Sequence, residues 1–83
     1  MADFLEDIKK IISQQFGIAQ EEIEEDSRLD EDLSITDLDL EDLIGLIQEK
    51  YDIEIPAEKL HSFKKVSDIV SFLYENVSET GEF

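Results

Sequence analysis

Oxygen-bearing side chains alternate along residues 30–41, and such alternation is one way in which a chain binds a cation. Five of them fall at positions 1, 3, 5, 7 and 12 of a calcium-binding loop: Asp30, Asp32, Ser34, Thr36 and Glu41. The sixth position of such a loop requires the sharp turn of glycine, and here it is Ile35. The sequence therefore predicts no specific metal site, only loose binding of divalent cations by clustered carboxylates.

Apolar residues at helical spacing predict a first helix before this segment. Its stripe ends at Phe16, and Gly17 supplies a C-terminal stop. The stripe comprises Phe4, Ile8, Ile11, Ile12 and Phe16. A long polar loop follows, in which scattered apolar residues are expected to attach the loop to the core: Ile18, Ile23, Leu29, Leu33 and Ile35.

A second helix is predicted from about Asp37 to Tyr51. Thr36 and Asp39 form a shortened capping box at its start, because Asp replaces the usual Glu or Gln. Asp37 lies at the positive end of the helix dipole, where we expect its carboxylate to accept backbone N–H bonds. The predicted buried stripe comprises Leu38, Leu43, Ile44, Ile47 and Tyr51.

Pro56 interrupts the chain, and residues 57–61 are expected to form a short helical turn. A last helix follows, marked by Val66, Ile69, Val70 and Leu73. Residues 1–77 then form one predicted domain and residues 78–83 a flexible tail. The predicted core consists of Phe4, Ile8, Ile11, Phe16, Leu29, Leu38, Leu43, Ile47, Ile55, Val66, Ile69, Val70 and Leu73.

The charge is extreme and uneven. The 83 residues include 23 acidic and 7 basic side chains, for a net charge of −16. Residues 21–56 alone hold 15 acids against Arg28 and Lys50. Such a surface repels nucleic acid and anionic membranes, whereas it attracts basic protein surfaces and divalent cations.

Several function classes are disfavoured. The chain has no cysteine, no apolar run near the roughly 20 residues that span a bilayer, and an acidic N-terminus unlike a signal peptide. No glycine-rich phosphate loop or nucleophile motif is present, and His61 is the only histidine. We expect a monomeric cytoplasmic protein that is not an enzyme and does not insert into membranes.

Residues 3–77 resemble the acyl carrier protein family. Four stretches carry this resemblance: Gln20-Glu21-Glu22-Ile23, Glu31-Asp32-Leu33, Tyr51-Asp52-Ile53-Glu54-Ile55-Pro56 and Phe63-Lys64-Lys65-Val66. The Glu-Ile-Pro ending, at its spacing from the second helix, is the most specific of them. The resemblance implies an all-α, four-helix bundle with a long loop between helices one and two and a short third helix.

One departure from the family concerns its cofactor, 4′-phosphopantetheine. Family members begin the second helix with Asp-Ser-Leu and carry the arm on the serine, whereas this chain has Thr36-Asp37-Leu38. A carboxylate attacking the pyrophosphate of coenzyme A would give an acyl phosphate that water cleaves, so no cofactor is expected on Asp37. Two alternatives remain open: an arm on Ser34, or a natural serine at position 37 that this sequence replaces.

The resemblance also implies a docking face for the basic surfaces of acyl-transfer or synthase enzymes in fatty-acid, polyketide or other lipid biosynthesis. Its expected members are Asp37, Asp39, Glu41, Asp42, Glu49 and Asp52. A second departure is Gly45, where the family usually has an apolar side chain. Two interpretations stay open for it: close packing or a reshaped cavity, or a tolerated exposed glycine. A third hypothesis, unrelated to acyl chemistry, is a generic acidic adaptor or a helical protein that binds divalent cations.

Overall fold

Helices account for most of residues 3–77, which are the residues that the structure, a computed structural model, describes. The helices are α1 (Phe4–Phe16), α2 (Asp37–Tyr51), a short 3-10 helix (Ala57–Ser62) and α3 (Val66–Asn76). A single 3-10 turn, Gln20–Glu22, lies in the long loop after α1. No β-strand occurs within this described range, so the predicted all-α architecture with a short third helix is confirmed. The tail predicted for residues 78–83 lies outside the described residues.

Local signals at its two ends determine the length of α1. The Asp3 carboxylate accepts the Glu6 N–H at 3.2 Å and so caps the first turn. At the other end Gly17 adopts a left-handed backbone (φ 72°), and its N–H donates to the Ser13 carbonyl at 2.9 Å. The stop predicted at Gly17 is therefore confirmed, because glycine adopts this conformation without a steric penalty.

The core differs from the predicted one at the start of α2. Leu38 was expected to be buried, but its side chain is 73% exposed, and Leu40 is buried instead. Two residues span about 200° around a helix axis, so Leu38 and Leu40 must face opposite sides. The true stripe runs through Leu40, Leu43, Ile44 and Ile47.

The remaining differences concern α1 and the loops. Ile11 and Phe16 are only partly buried and pack against the edge of the core, whereas Ile12 is fully buried. Three loop residues that the sequence predicts to attach the long loop to the core are buried: Ile23, Leu33 and Ile35. Phe63 is also buried, although the predicted core omits it. The other predicted core residues are buried as expected: Phe4, Ile8, Leu29, Leu43, Ile47, Ile55, Val66, Ile69, Val70 and Leu73.

Backbone hydrogen bonds attach the long loop to the start of α3. The Leu29 N–H donates to the Lys64 carbonyl at 2.9 Å, and the Val66 N–H donates to the Ser27 carbonyl at 3.1 Å. Arg28 and Lys65 thereby form an isolated antiparallel bridge. The Ile35 N–H then donates to the Leu29 carbonyl at 2.8 Å, which fixes the chain just before α2 begins.

An aromatic cluster connects all three α-helices. The ring of Phe4 packs edge-to-face against Tyr51 and Tyr74, with ring centroids 5.4 and 4.7 Å away. The Tyr51 hydroxyl donates to the Asp7 carboxylate at 2.9 Å, which joins α2 to α1. Burial of the phenol and this hydrogen bond raise the pKa of Tyr51 well above its ordinary value of 10.0.

We expect Tyr51→Phe to lower the free energy of unfolding by about 1 kcal/mol at pH 7, because the bond to Asp7 is lost. Since the folded-state pKa of Tyr51 is raised, the stability linked to its ionisation is fully present below pH 10.0 and declines as the pH rises through the folded-state value. The variant lacks this decline. Urea titrations should therefore show the difference between the two proteins narrowing above about pH 10.

The matched control is Tyr74→Phe, which removes a hydroxyl from a ring that is 52% exposed and retains the contact of that ring with Phe4. Its effect at pH 7 should be smaller than that of Tyr51→Phe. A constant difference between parent and Tyr51→Phe from pH 7 to 11 would contradict the assignment of this linkage to Tyr51.

Candidate functional site

The first turn of α2 is organised by Thr36 and Asp39. The Thr36 hydroxyl accepts the Asp39 N–H at 3.1 Å, and the Asp39 carboxylate accepts the Thr36 N–H at 3.2 Å. This reciprocal pair is the predicted capping box. The prediction that Asp37 accepts backbone N–H bonds is wrong, because Thr36 already occupies the capping position. Asp37 is the first helical residue, it is exposed, and no hydrogen bond of its carboxylate occurs within residues 3–77.

A cavity of about 370 Å³ opens beside Asp37. It lies between the start of α2, the end of the long loop and the short 3-10 helix. The apolar side chains that line it are Leu29, Ile35, Leu40, Ala57, Leu60 and Phe63. The polar ones are Asp30, Thr36, Asp37, Glu41, His61 and Lys64. The helix start that the sequence singled out therefore borders a recess with an apolar lining and a predominantly acidic rim.

Backbone geometry favours the charged form of one acid on this rim. The Glu31 N–H donates to the Asp30 carboxylate at 2.7 Å, which is the main reason why the pKa of Asp30 lies below its ordinary value of 3.8. Arg28 and Lys64 lower it further by their positive charge. Arg28 Nε lies 3.6 Å from Asp30 and 3.5 Å from Glu31, so this cation is already engaged by the loop.

Ser34, the alternative attachment residue, lies in a different environment. It lines a second cavity of about 450 Å³ together with Phe16, Ile18, Glu22, Asp32 and Leu33, and this cavity does not include Asp37. The backbone of Ser34 is left-handed (φ 58°), an uncommon conformation for a serine. A group attached to Ser34 would thus emerge from a strained loop position beside the end of α1, away from the recess at the start of α2.

Three carboxylates of residues 30–41 accept backbone N–H bonds, and these three do not converge on a point. Asp32 accepts the Arg28 N–H at 2.7 Å, Asp30 accepts the Glu31 N–H, and Asp39 caps α2. Across residues 3–77, no group of three potential metal-binding side chains comes together. The absence of a specific calcium loop and the loose binding of divalent cations both stay predictions.

The predicted docking acids separate into two kinds. Five of them are exposed along or at the ends of α2 and form no ion pair within the described part of the chain: Asp37, Glu41, Asp42, Glu49 and Asp52. Asp39 is partly buried, and its carboxylate caps the helix. Its placement among the docking residues stays a prediction, but any charge reversal there would also disrupt the capping box.

Two exposed leucines lie among these acids on α2, and the sequence analysis does not predict them. Leu38 is 73% exposed and Leu46 38% exposed, and Gly45 is exposed between them. A Cβ atom at Gly45 would meet nothing within 4 Å. A glycine inside a helix costs roughly 1 kcal/mol relative to alanine, and here no internal packing requires it. The spacing of Leu40 to Leu43, Ile44 and Ile47 could have revealed the outward position of Leu38.

Comparison with known proteins agrees with this fold. The family described as "Phosphopantetheine attachment site" matches residues 6–73. An acyl carrier protein of Sulfurovum is 36% identical over 72 residues, which are 87% of this chain and 95% of that protein. The chain belongs to the acyl carrier protein family. The acyl carrier protein of Wolinella succinogenes is 35% identical over 86% of the chain and 93% of its own length. That of Helicobacter hepaticus is 34% identical over 89% of the chain and 97% of its own length.

Acyl carrier proteins are carriers rather than enzymes, and their family is defined by attachment of phosphopantetheine. The first turn of α2 does not fit that group: the Thr36 hydroxyl is occupied as the cap, and Asp37 offers a carboxylate. The assignment of Asp37 to the attachment position stays a prediction. Among residues 3–77, no helix is both long enough and apolar enough to cross a membrane.

The two kinds of acid should respond differently to neutralisation. Asp39→Asn and Thr36→Ala should each lower the free energy of unfolding by about 1 kcal/mol, because each removes part of the capping box. Asp42→Asn should change it by less than about 0.5 kcal/mol, since an exposed charge without a partner contributes little. Chemical denaturation of all three variants tests this, and equal effects at Asp39 and Asp42 would contradict the structural role of Asp39.

Proposed function

We propose that this chain is a non-carrying member of the acyl carrier protein family that docks on basic enzyme surfaces through α2. The observation that supports this proposal most directly is the composition of that helix. Its outer face presents exposed acids without internal partners in residues 3–77, and its first turn presents Asp37, which we assign to the attachment position and which has a carboxylate instead of a serine hydroxyl. Docking and carrying would then be separated in this chain, because the recognition surface is present without the attachment group.

The partners are proposed to be acyl-transfer or synthase enzymes with lysine- and arginine-rich faces. Acyl carrier proteins interact with biosynthetic enzymes, and the acidic segment of this chain carries the charge that such a face would attract. Across an interface, complementary charge mainly raises the association rate and selects among partners, and both effects weaken as salt is added. The regulation of a pathway or the support of a specialised enzyme would suit a family member without an arm.

The alternative of a working carrier has less support. An arm on Ser34 would start from a left-handed loop residue beside the second cavity, whereas Asp37 borders the recess at the start of α2. A natural serine at position 37 would restore ordinary carrier function without any other change in the fold. A generic acidic adaptor remains the third hypothesis, and binding to carrier-recognising enzymes separates it from the first two.

Attachment of the arm can be measured directly. We expect no mass gain when the chain is incubated with coenzyme A and a phosphopantetheinyl transferase, because Asp37 cannot form a stable phosphodiester. Asp37→Ser should gain the mass of one phosphopantetheinyl group under the same conditions. Intact-mass spectrometry gives both readings.

Ser34→Ala, made alone and together with Asp37→Ser, is the control for the position of attachment. The double variant should be modified as fully as Asp37→Ser. Stable modification of the unmutated chain would overturn the non-carrying function, and its loss in Ser34→Ala would establish Ser34 as the carrier residue.

Docking can be tested with the same transferase. We expect Asp42→Lys combined with Glu49→Lys to slow association by about tenfold or more at low ionic strength, because two steering charges are reversed. The difference from the parent should shrink in about 0.5 M salt. Stopped-flow or surface-plasmon measurements of the association rate provide the test.

Glu58→Lys combined with Glu75→Lys makes the same change in net charge on exposed positions outside α2. It should slow association much less than the α2 pair does. Equal slowing by the two double variants would mean that net charge, and not the face of α2, attracts the partner.

A further inference from the structure

Four residues on the outer face of α2 form a diamond in which one corner, Gly45, has no side chain. Asp42, Gly45, Leu46 and Glu49 follow the spacing i, i+3, i+4 and i+7, so they form the four corners of a diamond on the helix surface. All four are exposed. A surface diamond of this kind is the arrangement that receives one side chain from a facing helix. We call these four residues the Gly45 socket.

The fold itself gives no reason for the glycine in this socket. Gly45 lies inside α2, far from either cap, and the space above its Cα is open. Its backbone is helical and does not lie in the left-handed region, so glycine is not needed for a turn. The missing side chain at Gly45 leaves room for a group from another molecule to approach the backbone of α2 closely.

The side chains of the Gly45 socket indicate which kind of side chain it would bind. Asp42 and Glu49 are carboxylates without an ion-pair partner in residues 3–77, while Leu46 is an apolar wall. A guest should therefore combine a long aliphatic stem with a cationic end. Arginine has both, and its planar guanidinium can bind a carboxylate through two hydrogen bonds.

We propose that the Gly45 socket receives an arginine side chain from a helix of the partner, and that Gly45 determines which partners can approach. The aliphatic stem would lie across the Cα of Gly45 against Leu46, and the guanidinium would bind Asp42 or Glu49. Leu38 lies seven residues before Gly45, about 10 Å along the helix axis. An apolar residue two turns from the arginine would therefore cover Leu38, the most exposed leucine of α2.

This inference rests on the proposed docking role of α2 and adds the residue that shapes the contact. General attraction between an acidic helix and a basic surface would not depend on the size of the side chain at position 45. Close insertion does depend on it, because any larger side chain would occupy the space of the arginine stem. Dependence of binding on the size of the side chain at position 45 therefore distinguishes close insertion of an arginine from general charge attraction.

The probe is a synthetic alanine-based helical peptide of about 18 residues, long enough to form helix. It carries one central arginine, a leucine seven residues away, and lysines along both flanks. Titration of the isotope-labelled full chain, followed by NMR chemical shifts, should place the largest changes on residues 38–49. The same peptide with alanine in place of the central arginine should bind about tenfold more weakly.

Gly45→Leu is the decisive variant. We expect it to weaken binding of the arginine peptide about tenfold, while its melting temperature rises by about 4 °C or more because the helix gains a better helix former. Ser71→Leu places the same leucine side chain at an exposed position of α3 and should bind the peptide as the parent does. The double variant Gly45→Leu with Asp42→Asn should lose less binding free energy than the two single variants lose together, since both disturb the same contact with the arginine.

Three outcomes would overturn the proposal: equal binding by Gly45→Leu and the parent, shift changes spread evenly over all acidic residues, or no measurable binding. Equal binding of a peptide with lysine in the centre would overturn the choice of arginine. Failure of the docking proposal is distinguishable. If the chain binds the peptide through the Gly45 socket but does not bind the transferase, the socket proposal stands and the proposed enzyme partners are wrong.

Discussion

The antiparallel pairing between residues 27–29 and residues 64–66 is the constraint on which the site depends. The bonds from Leu29 N–H to the Lys64 carbonyl and from Val66 N–H to the Ser27 carbonyl hold the long loop against the start of α3. Loop closure costs conformational entropy, and the buried side chains of Ile23, Leu29 and Leu33 offset that cost by contributing to the core. A loop without helix or strand can therefore be as well determined as the helices that it connects.

This pairing also determines where α2 begins and what surrounds its start. The Ile35 N–H donates to the Leu29 carbonyl, and this bond positions the next residue, Thr36, as the N-cap of α2. Because Lys64 is part of the same pairing, the short 3-10 helix before it is brought next to the first turn of α2. The recess beside Asp37 is thus a consequence of backbone pairing far from it in sequence, and its lining comes from three separate segments.

How far the sequence predicts this structure depends on the range of each interaction. The ends of α1 and α2 were predictable because caps such as Gly17 and Thr36 act within one turn. The recess was not, since no local pattern shows that Leu60 and Phe63 meet Leu29. The burial predicted for Leu38 is wrong for another reason: its side chain is apolar, but its helical phase is opposite to that of the buried Leu40. With Leu38 predicted as buried, the exposed apolar surface on α2 could not be predicted.

Charge alone does not distinguish the acids of α2, although their surroundings do. The Asp39 carboxylate caps the start of α2. Asp42 and Glu49 are exposed and form no ion pair or hydrogen bond through their carboxylates within residues 3–77. The helix therefore carries features that its own stability does not need: unpaired acids, the exposed Leu38 and Leu46, and the helix-weakening Gly45. Each has an ordinary explanation when taken singly, such as solubility for the acids. Solubility does not explain exposed leucines, and packing does not explain an open glycine. Their presence together on one exposed helix face is the observation that supports the proposed docking on a basic protein partner.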